Sequence, residues 1–234
     1  MISLRDERVR PVLTSSITLG MAVGVFAVVF GVGSVAAGGS VAQTCAMSLL
    51  VFTGASQLSA VAVIAGGGSV GSALAGGLVL AARNGVFGLT MSRRLSGRLP
   101  TRLLAAQLTL DESTAMASAQ TDPELQQVAF WATGVAIYIC WNLGTLAGAL
   151  AGSAIDPKRF GLDAAIPSAF VALLWPHLRT PNGRRAMLLG AVLCLATIPF
   201  MPVGVPVLVS SLAILIALPH PDPDDVVDSI ELPA

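Results

Sequence analysis

The stretch FTGASQLSA, Phe52 to Ala60, interrupts an apolar segment that runs from about residue 41 to residue 65. Glycine lowers helix stability by about 1 kcal/mol relative to alanine, and the Gln57 amide needs hydrogen-bond partners that lipid does not provide. Helix breaks of this kind leave backbone N–H and C=O groups free at mid-membrane depth. We therefore expect an interrupted or re-entrant helix, although small residues such as Gly54 and Ser56 are also typical of close helix packing.

The composition of the whole chain is that of a membrane protein. Of its 234 residues, 54% are hydrophobic and only 11% are charged, and the mean hydropathy is +0.80. A soluble domain typically carries about 25% charged residues. The formal net charge is zero and the 13 basic residues are spread over several short loops, so no nucleic acid binding is expected. The sequence predicts an all-α, polytopic integral membrane protein surrounded by a lipid bilayer.

About seven or eight apolar segments can be marked along the chain. They are approximately 15–36, 41–65, 69–91, 103–119, 128–152, 162–178, 186–200 and 203–218. A spanning helix needs about 20 apolar residues, and 41–65 is long enough to be one. We predict a transmembrane domain over 15–218, preceded by a cytoplasmic segment, 1–14, and followed by an acidic, disordered cytoplasmic tail, 219–234.

Basic residues predict the orientation, because Lys and Arg favour cytoplasmic loops. Arginines before the first segment and in LRTPNGRR, residues 178–185, predict that both termini are cytoplasmic. The loop 92–102 contains four arginines. It is cytoplasmic if one of the three preceding segments is re-entrant and 103–119 does not cross. It is external if all three segments cross and 103–119 crosses as well, and the sequence leaves both arrangements open.

A second polar interruption places Arg83 and Asn84 near the middle of segment 69–91. A charge at that depth costs at least about 2.5 kcal/mol, so it requires a partner or a wet cavity. The candidate partners are Asp111 and Glu112, which lie inside an apolar segment. These residues form either a structural ion pair between two helices or part of a polar path through the membrane.

A third polar element is a stripe on segment 128–152. Tyr138, Asn142 and Thr145 follow i, i+4, i+7 spacing and so share one helical face. A neighbouring ridge of small residues allows close approach of another helix. It consists of Gly144, Gly148 and Gly152.

We find no pattern typical of an enzyme or of a metal or cofactor site. The chain has two histidines, and none of the GxSxG, HExxH and Walker-type motifs is present. The three cysteines lie far apart in apolar segments, a distribution that favours neither a disulfide framework nor zinc binding. We therefore assign no catalytic residue, no metal ligand and no cofactor.

Six motifs, in their order and spacing, resemble the AzlC-type (azaleucine-resistance) family, the large subunits of bacterial branched-chain amino acid exporters. The resemblance extends from about Gly20 to about Leu178. The motifs are GVFAVVFGVGS, FTGASQLSAVAVIAGGG, AARNGVFGLTMS, LTLDESTAMA, YICWNLGTLAGALAG and IPSAFVALLWPHL. The family's Gly-Ala-Ser-Gln pattern matches residues 54–57. Its Arg-centred pattern matches Arg83 and Asn84 only loosely, and Leu110 replaces the threonine that precedes its Asp-Glu pair.

The resemblance implies a secondary exporter of valine, leucine, isoleucine and sometimes methionine in the bacterial inner membrane, acting with a small AzlD-type membrane subunit. We expect alternating access around a midplane site, with a proton as the coupling ion. The expected substrate-binding residues are Gly54, Ser56, Gln57, Asn84, Tyr138, Asn142 and Thr145. The expected proton-coupling or ion-pair residues are Arg83, Asp111 and Glu112. The alternative function is a membrane scaffold or channel subunit that transports no substrate itself.

Overall fold

The computed structural model of the protein describes residues 6–95, 97–154, 165–175 and 177–214. Within these ranges all regular elements are helices and no strand is present, so the all-α prediction is confirmed. The chain divides into two compact units, Met1–Phe170 and Val171–Ala234. The predicted acidic tail, 219–234, lies outside the described residues.

Ten α-helices are defined in the described part of the chain. They are α1 Val9–Ala36, α2 Val41–Val51, α3 Ala55–Ala65, α4 Val70–Ser92, α5 Leu99–Gln107, α6 Asp111–Ser118, α7 Pro123–Ala154, α8 Ala165–Leu174, α9 Pro181–Thr197 and α10 Val205–Ser210. By length and composition, four described helices could cross a membrane: α1, α4, α7, and α9 together with the short turn after it. The predicted count of seven or eight segments is therefore not confirmed.

Helices α1 and α7 pack against each other in parallel. The Ser16 and Thr133 hydroxyls are hydrogen-bonded at 2.8 Å near the start of both helices. Farther along, a side chain at Gly148 would overlap the Val28 carbonyl oxygen. Residue numbers thus rise together along the contact, and the absence of side chains lets the backbones approach. The prediction that the glycine ridge is a packing surface is confirmed.

The segment 41–65 is a helical hairpin, so the expected interruption of this apolar segment is confirmed. The backbone between α2 and α3 has a positive φ at Phe52 (35°) and at Gly54 (49°), which ends the first helix. The Gln57 side-chain Nε2 then donates to the Met47 carbonyl at 2.9 Å. Ten residues along a continuous helix span about 15 Å, so this bond requires a sharp turn between α2 and α3. Helix α3 then packs against α4 and α1 rather than along α2.

Helix α4 runs back along α3 and then continues to the end of the unit where α1 begins. The Gly76 backbone lies against the Ser59 side chain, and Gly77 lies against Ser56. At its other end, the Arg94 guanidinium donates to the Ser118 hydroxyl at 3.3 Å. The loop after α4 is thereby placed near the start of α7.

The segment 103–119 is a second hairpin, made of α5 and α6. The Ser113 hydroxyl donates to the Leu108 carbonyl at 2.7 Å and accepts from the Leu110 N–H at 3.0 Å, which holds the turn together. Helix α5 begins just after the loop that follows α4, and α6 ends at Ser118, beside Arg94. Both ends of the hairpin therefore lie at the same end of the unit, so segment 103–119 does not cross it. This is the arrangement in which loop 92–102 lies on the same side as the N-terminus.

The second unit contains a further fold-back. The Thr180 hydroxyl accepts from the Gly183 N–H at 3.1 Å and caps the start of α9. Gly190 lies against Ser210 and Ala213, so α10 returns along α9. The predicted hairpin at the proline-rich stretch PFMPVGVP, residues 199–206, is confirmed.

Candidate functional site

The tip of the α2–α3 hairpin is held by side chains from other elements. The Gln107 Nε2, at the end of α5, donates to the Leu49 carbonyl at 3.1 Å and to the Leu50 carbonyl at 3.4 Å. The Tyr138 hydroxyl of α7 also donates to the Leu49 carbonyl, at 3.2 Å. The last four carbonyls of a helix lack intrahelical partners, and these side chains supply them. We call the region formed by residues 49–57, Gln107 and residues 138–145 the hairpin junction.

The N-terminus of α3 opens into the hairpin junction without a side-chain cap. Gly54 occupies the N-cap position and has no side chain to accept from the first N–H groups. The Ser56 N–H reaches the Thr53 carbonyl only at 3.4 Å. Uncapped N–H groups and the helix dipole attract negatively charged groups such as a carboxylate.

Four buried polar atoms of the hairpin junction have no hydrogen-bond partner among the described residues. They are the Thr53 Oγ1, Gln57 Oε1, Trp141 Nε1 and Asn142 Oδ1. An unpaired buried polar atom costs about 1–3 kcal/mol, so such a concentration in one region requires an explanation. Two of these atoms are amide oxygens, which accept from an ammonium group, and the Trp141 N–H is a donor suited to a carboxylate.

The residues of the predicted polar stripe on α7 differ in how they are used. The Asn142 Nδ2 donates to the Tyr138 carbonyl at 2.8 Å, which leaves its Oδ1 unpaired. The Thr145 hydroxyl accepts from the Ser48 hydroxyl at 3.1 Å, and the Tyr138 hydroxyl is bonded as described. Asn142 is therefore the stripe residue with free hydrogen-bonding capacity, whereas Tyr138 and Thr145 position α2.

The predicted binding residues on α3 and α4 are not brought together: Ser56 lies in the packed contact between these helices, and Asn84 lies farther along α4. Ser56 is buried and its backbone lies against Gly77 of α4. Asn84 is two helical turns beyond Gly77 and so shares its face of α4, about 10 Å farther along the axis. The Asn84 side chain is half-buried and makes no hydrogen bond with any residue that the structure describes.

Arg83 is ion-paired with Asp111, the first residue of α6, at a distance of 3.2 Å. Each side chain is 43% exposed, so the pair is open on one side. Glu112 follows in the same first helical turn and is half-buried. Carboxylates at this position are favoured by the α6 dipole. The structure thus brings Arg83 to the start of α6, near the tip of the second hairpin.

Sequence reasoning did not assign three residues of the hairpin junction as site residues: Thr53, Gln107 and Trp141. Gln107 could have been found, because it is a lone amide within the apolar run 103–110. Trp141 lies among apolar residues and looks like a core residue. Its unpaired indole N–H can be recognised only when the neighbouring residues are known. In the structure, a ring atom of Trp141 lies 3.5 Å from the position that a Cβ at Gly54 would occupy.

One protein-family model, described as AzlC protein, matches residues 18–155. This range covers more than half of the chain and includes α4 and both hairpins. No curated protein and no solved structure matches the chain.

Proposed function

We propose that this chain, which belongs to the AzlC family, exports aliphatic amino acids. The family is associated with membrane transport of amino acids rather than with enzymatic activity. The substrates would be valine, leucine, isoleucine and methionine, and the chain would act as a secondary transporter. The observation that carries the proposal is the hairpin junction, where a helix break leaves free N–H groups beside buried, unpaired amide oxygens.

The orientation follows from the side on which the charges lie. Arg8, Arg94 and Arg98 lie at the end of the first unit where α1 begins, which we call the basic end. The described connections at the opposite end, 37–40 and 66–69, contain no charged residue. By the preference of arginine for the cytoplasm, the basic end faces the cytoplasm of a bacterial cell. The α2–α3 hairpin then enters the membrane from outside and the α5–α6 hairpin enters from inside.

The hairpin junction offers one set of groups for each end of an amino acid. The substrate carboxylate binds the uncapped N–H groups at the start of α3 and the Trp141 indole N–H. The substrate ammonium donates to the Gln57 Oε1 and the Asn142 Oδ1. This arrangement pairs three of the four buried junction atoms that have no partner among the described residues, all except the Thr53 Oγ1. It also recognises the two charged groups that all α-amino acids share.

Discrimination among aliphatic side chains is expected to be weak. The junction is bordered by apolar residues such as Phe52 and Leu58, both of which are buried. A hydrophobic pocket distinguishes substrates that differ by one methylene by only about 1–3 kcal/mol. Export of several branched-chain amino acids and of methionine by one site is therefore expected.

In the proposed cycle the described conformation is the closed one, because Gln57 is fully buried and Trp141 nearly so. Access from either side requires the two hairpin tips to separate. The bonds from Gln107 to the Leu49 and Leu50 carbonyls join the tips, and they would break when the site opens. Alternating access then consists of movement of one hairpin at a time against α1 and α7.

Proton coupling is assigned to the acidic pair at the start of α6. Asp111 is already paired with Arg83, so we assign proton uptake to Glu112, which follows it in the same turn. A proton that enters Glu112 from outside would be released to the cytoplasm as the amino acid leaves the cell. The ion pair between Arg83 and Asp111 fastens α4 to α6 during this cycle.

The AzlC family typically functions as part of a membrane transport complex. We propose that the partner of this chain is a small AzlD-type membrane subunit, and that the complex resides in the bacterial inner membrane. The large exposed apolar residues of α4, such as Leu78 and Leu89, are in contact with lipid or with this partner.

The proposal is tested by efflux of preloaded, labelled leucine from bacteria that lack their own exporters. The cells express this chain alone or together with the adjacent small membrane protein. Efflux is expected with the pair, and it should fall strongly in Asn142→Leu at unchanged abundance. Absence of efflux for all four amino acids from a complex shown to be assembled would refute the exporter. Efflux that is insensitive to Asn142→Leu would instead favour a scaffold or channel subunit with its substrate path elsewhere.

A further inference from the structure

A cavity of about 340 Å³ lies at the basic end, between the end of α4, the helix α5 and the start of α7. It is separate from the hairpin junction. Its walls are mainly apolar and include Met91, Leu95, Leu103 and Trp131. The volume falls within the range of roughly 300–1,000 Å³ that is typical of small-molecule sites.

The outer wall of this cavity is open to the surroundings of the protein. Leu99 and Leu103 of α5 line the cavity, yet they are 67% and 62% exposed. Ala105 is the one residue of α5 that is buried, so this helix is only loosely covered by the rest of the unit. In a membrane, α5 therefore borders the lipid, and an apolar chain could enter the cavity beside it.

The polar side of the cavity is cationic. Arg102 lines it, together with the hydroxyl-bearing residues Ser92, Thr101 and Thr109, and none of the acidic residues that the structure describes does. Within the described part of the chain, Arg102 forms no ion pair. Arg98, one turn earlier in the sequence, adds positive charge nearby. The cavity thus suits a ligand that is apolar at one end and anionic at the other, and its described lining offers no carboxylate for the ammonium of a free amino acid.

We propose that this cavity binds an anionic phospholipid of the cytoplasmic leaflet, with an acyl chain against Leu103 and Met91 and the phosphate at Arg102. Basic pockets between helices on the cytoplasmic side are typical sites for anionic lipid head groups. Trp131 in the cavity wall is a residue type that favours the membrane–water interface. The bound lipid fills the gap between α5 and α4 and so steadies the hairpin that carries Gln107.

The experiment measures lipid binding to the full chain with its membrane partner by native mass spectrometry after delipidation. Phosphatidylglycerol and phosphatidylcholine with identical acyl chains are added in parallel. Tighter binding of phosphatidylglycerol is expected. Arg102→Gln should weaken that binding about fivefold, the equivalent of the ~1 kcal/mol that one arginine contributes near an anionic surface. Arg98→Gln, outside the cavity lining, is the matched control and should have a smaller effect.

A second variant tests the position of the acyl chain. Ala106→Phe places a ring in the cavity, since Ala106 lines it and is itself exposed. It should reduce binding of both lipids while the lipid-free melting temperature stays unchanged. Equal binding of the two lipids, phosphatidylglycerol binding that is insensitive to either variant, or displacement of the lipid by millimolar leucine would overturn the proposal. None of these readouts depends on transport, so the lipid site and the exporter can fail separately.

Discussion

Replacing Gln57 by leucine should weaken substrate binding while leaving the amount of folded protein unchanged. Gln57 is fully buried, its Nε2 donates to the Met47 carbonyl at 2.9 Å, and its Oε1 has no hydrogen-bond partner among the described residues. The substitution removes one hydrogen bond, worth about 0.5–1.5 kcal/mol, and also removes an unpaired oxygen whose burial costs about 1–3 kcal/mol. The two effects oppose each other, so the free energy of unfolding should change little.

The loss in binding is larger, because the Gln57 Oε1 accepts from the charged substrate ammonium in the proposed site. Hydrogen bonds to charged groups contribute about 1.5–3 kcal/mol. At about 1.4 kcal/mol for each factor of ten, the KM for leucine should rise roughly 10- to 150-fold. The measurement is the initial rate of leucine transport in proteoliposomes over a range of substrate concentrations, with abundance determined by quantitative immunoblot.

Gln126→Leu is the matched control for this prediction. The Gln126 Nε2 also donates to a backbone carbonyl, that of Gln120, at 2.7 Å, but it lies at the basic end and away from the hairpin junction. This variant should keep the wild-type KM. An unchanged KM in Gln57→Leu at normal abundance, or an equal rise in KM in both variants, would show that the amide oxygen does not bind the substrate.

Two further predictions concern stability in detergent. Gly148→Val should lower the melting temperature, because the valine side chain would overlap the α1 backbone and overpacking typically costs about 1–3 kcal/mol. The control is Gly85→Ala, which has no atom within 4 Å of the new Cβ and should stabilise the helix by up to about 1 kcal/mol. An equal fall in melting temperature in both variants would contradict the close packing. The hydrogen bond from the Glu124 backbone N–H lowers the pKa of Asp122. The ionised Asp122 carboxylate therefore stabilises the fold above the unfolded-state pKa of about 3.9, and this stabilisation is lost as the pH falls through the lower pKa of the folded state. Asp122→Asn should therefore melt below the wild type at pH 7, with a difference that disappears in acid; a difference that persists at pH 2 would contradict this origin.

The sequence predicted a good deal of the local structure. The apolar composition predicts a membrane protein, and Gly54 within an apolar segment predicts a helix break, which the backbone at Phe52 and Gly54 contains. The spacing of Gly144, Gly148 and Gly152 predicts a close helix contact, which α1 provides. These features can be predicted from the sequence because each depends on residues within one or two helical turns.

The sequence did not predict the direction of the chain after each break. Segment 41–65 is long enough to cross a membrane, and its hydropathy is the same whether α3 continues or folds back. The bond from Gln57 to Met47 and the contacts of α3 with α4 decide for folding back. The same holds for 103–119, where the contact of Arg94 with Ser118 returns the chain to its starting side.

The same distinction between sequence and tertiary structure applies to the candidate site. The sequence alone determined which polar groups lie within apolar segments. They are at residues 54–57, 83–84, 111–112 and 138–145. Each can be recognised without the fold, because the cost of placing a polar group in lipid depends only on that group and its medium. Which of these groups are satisfied by the protein and which are left for a ligand depends on distant partners: Ser48 for Thr145, Leu49 for Tyr138, and Asp111 for Arg83. A hydrogen bond requires its two atoms to lie within about 3.5 Å, and only the tertiary structure, by folding two hairpins against α7, determined which atoms meet that condition.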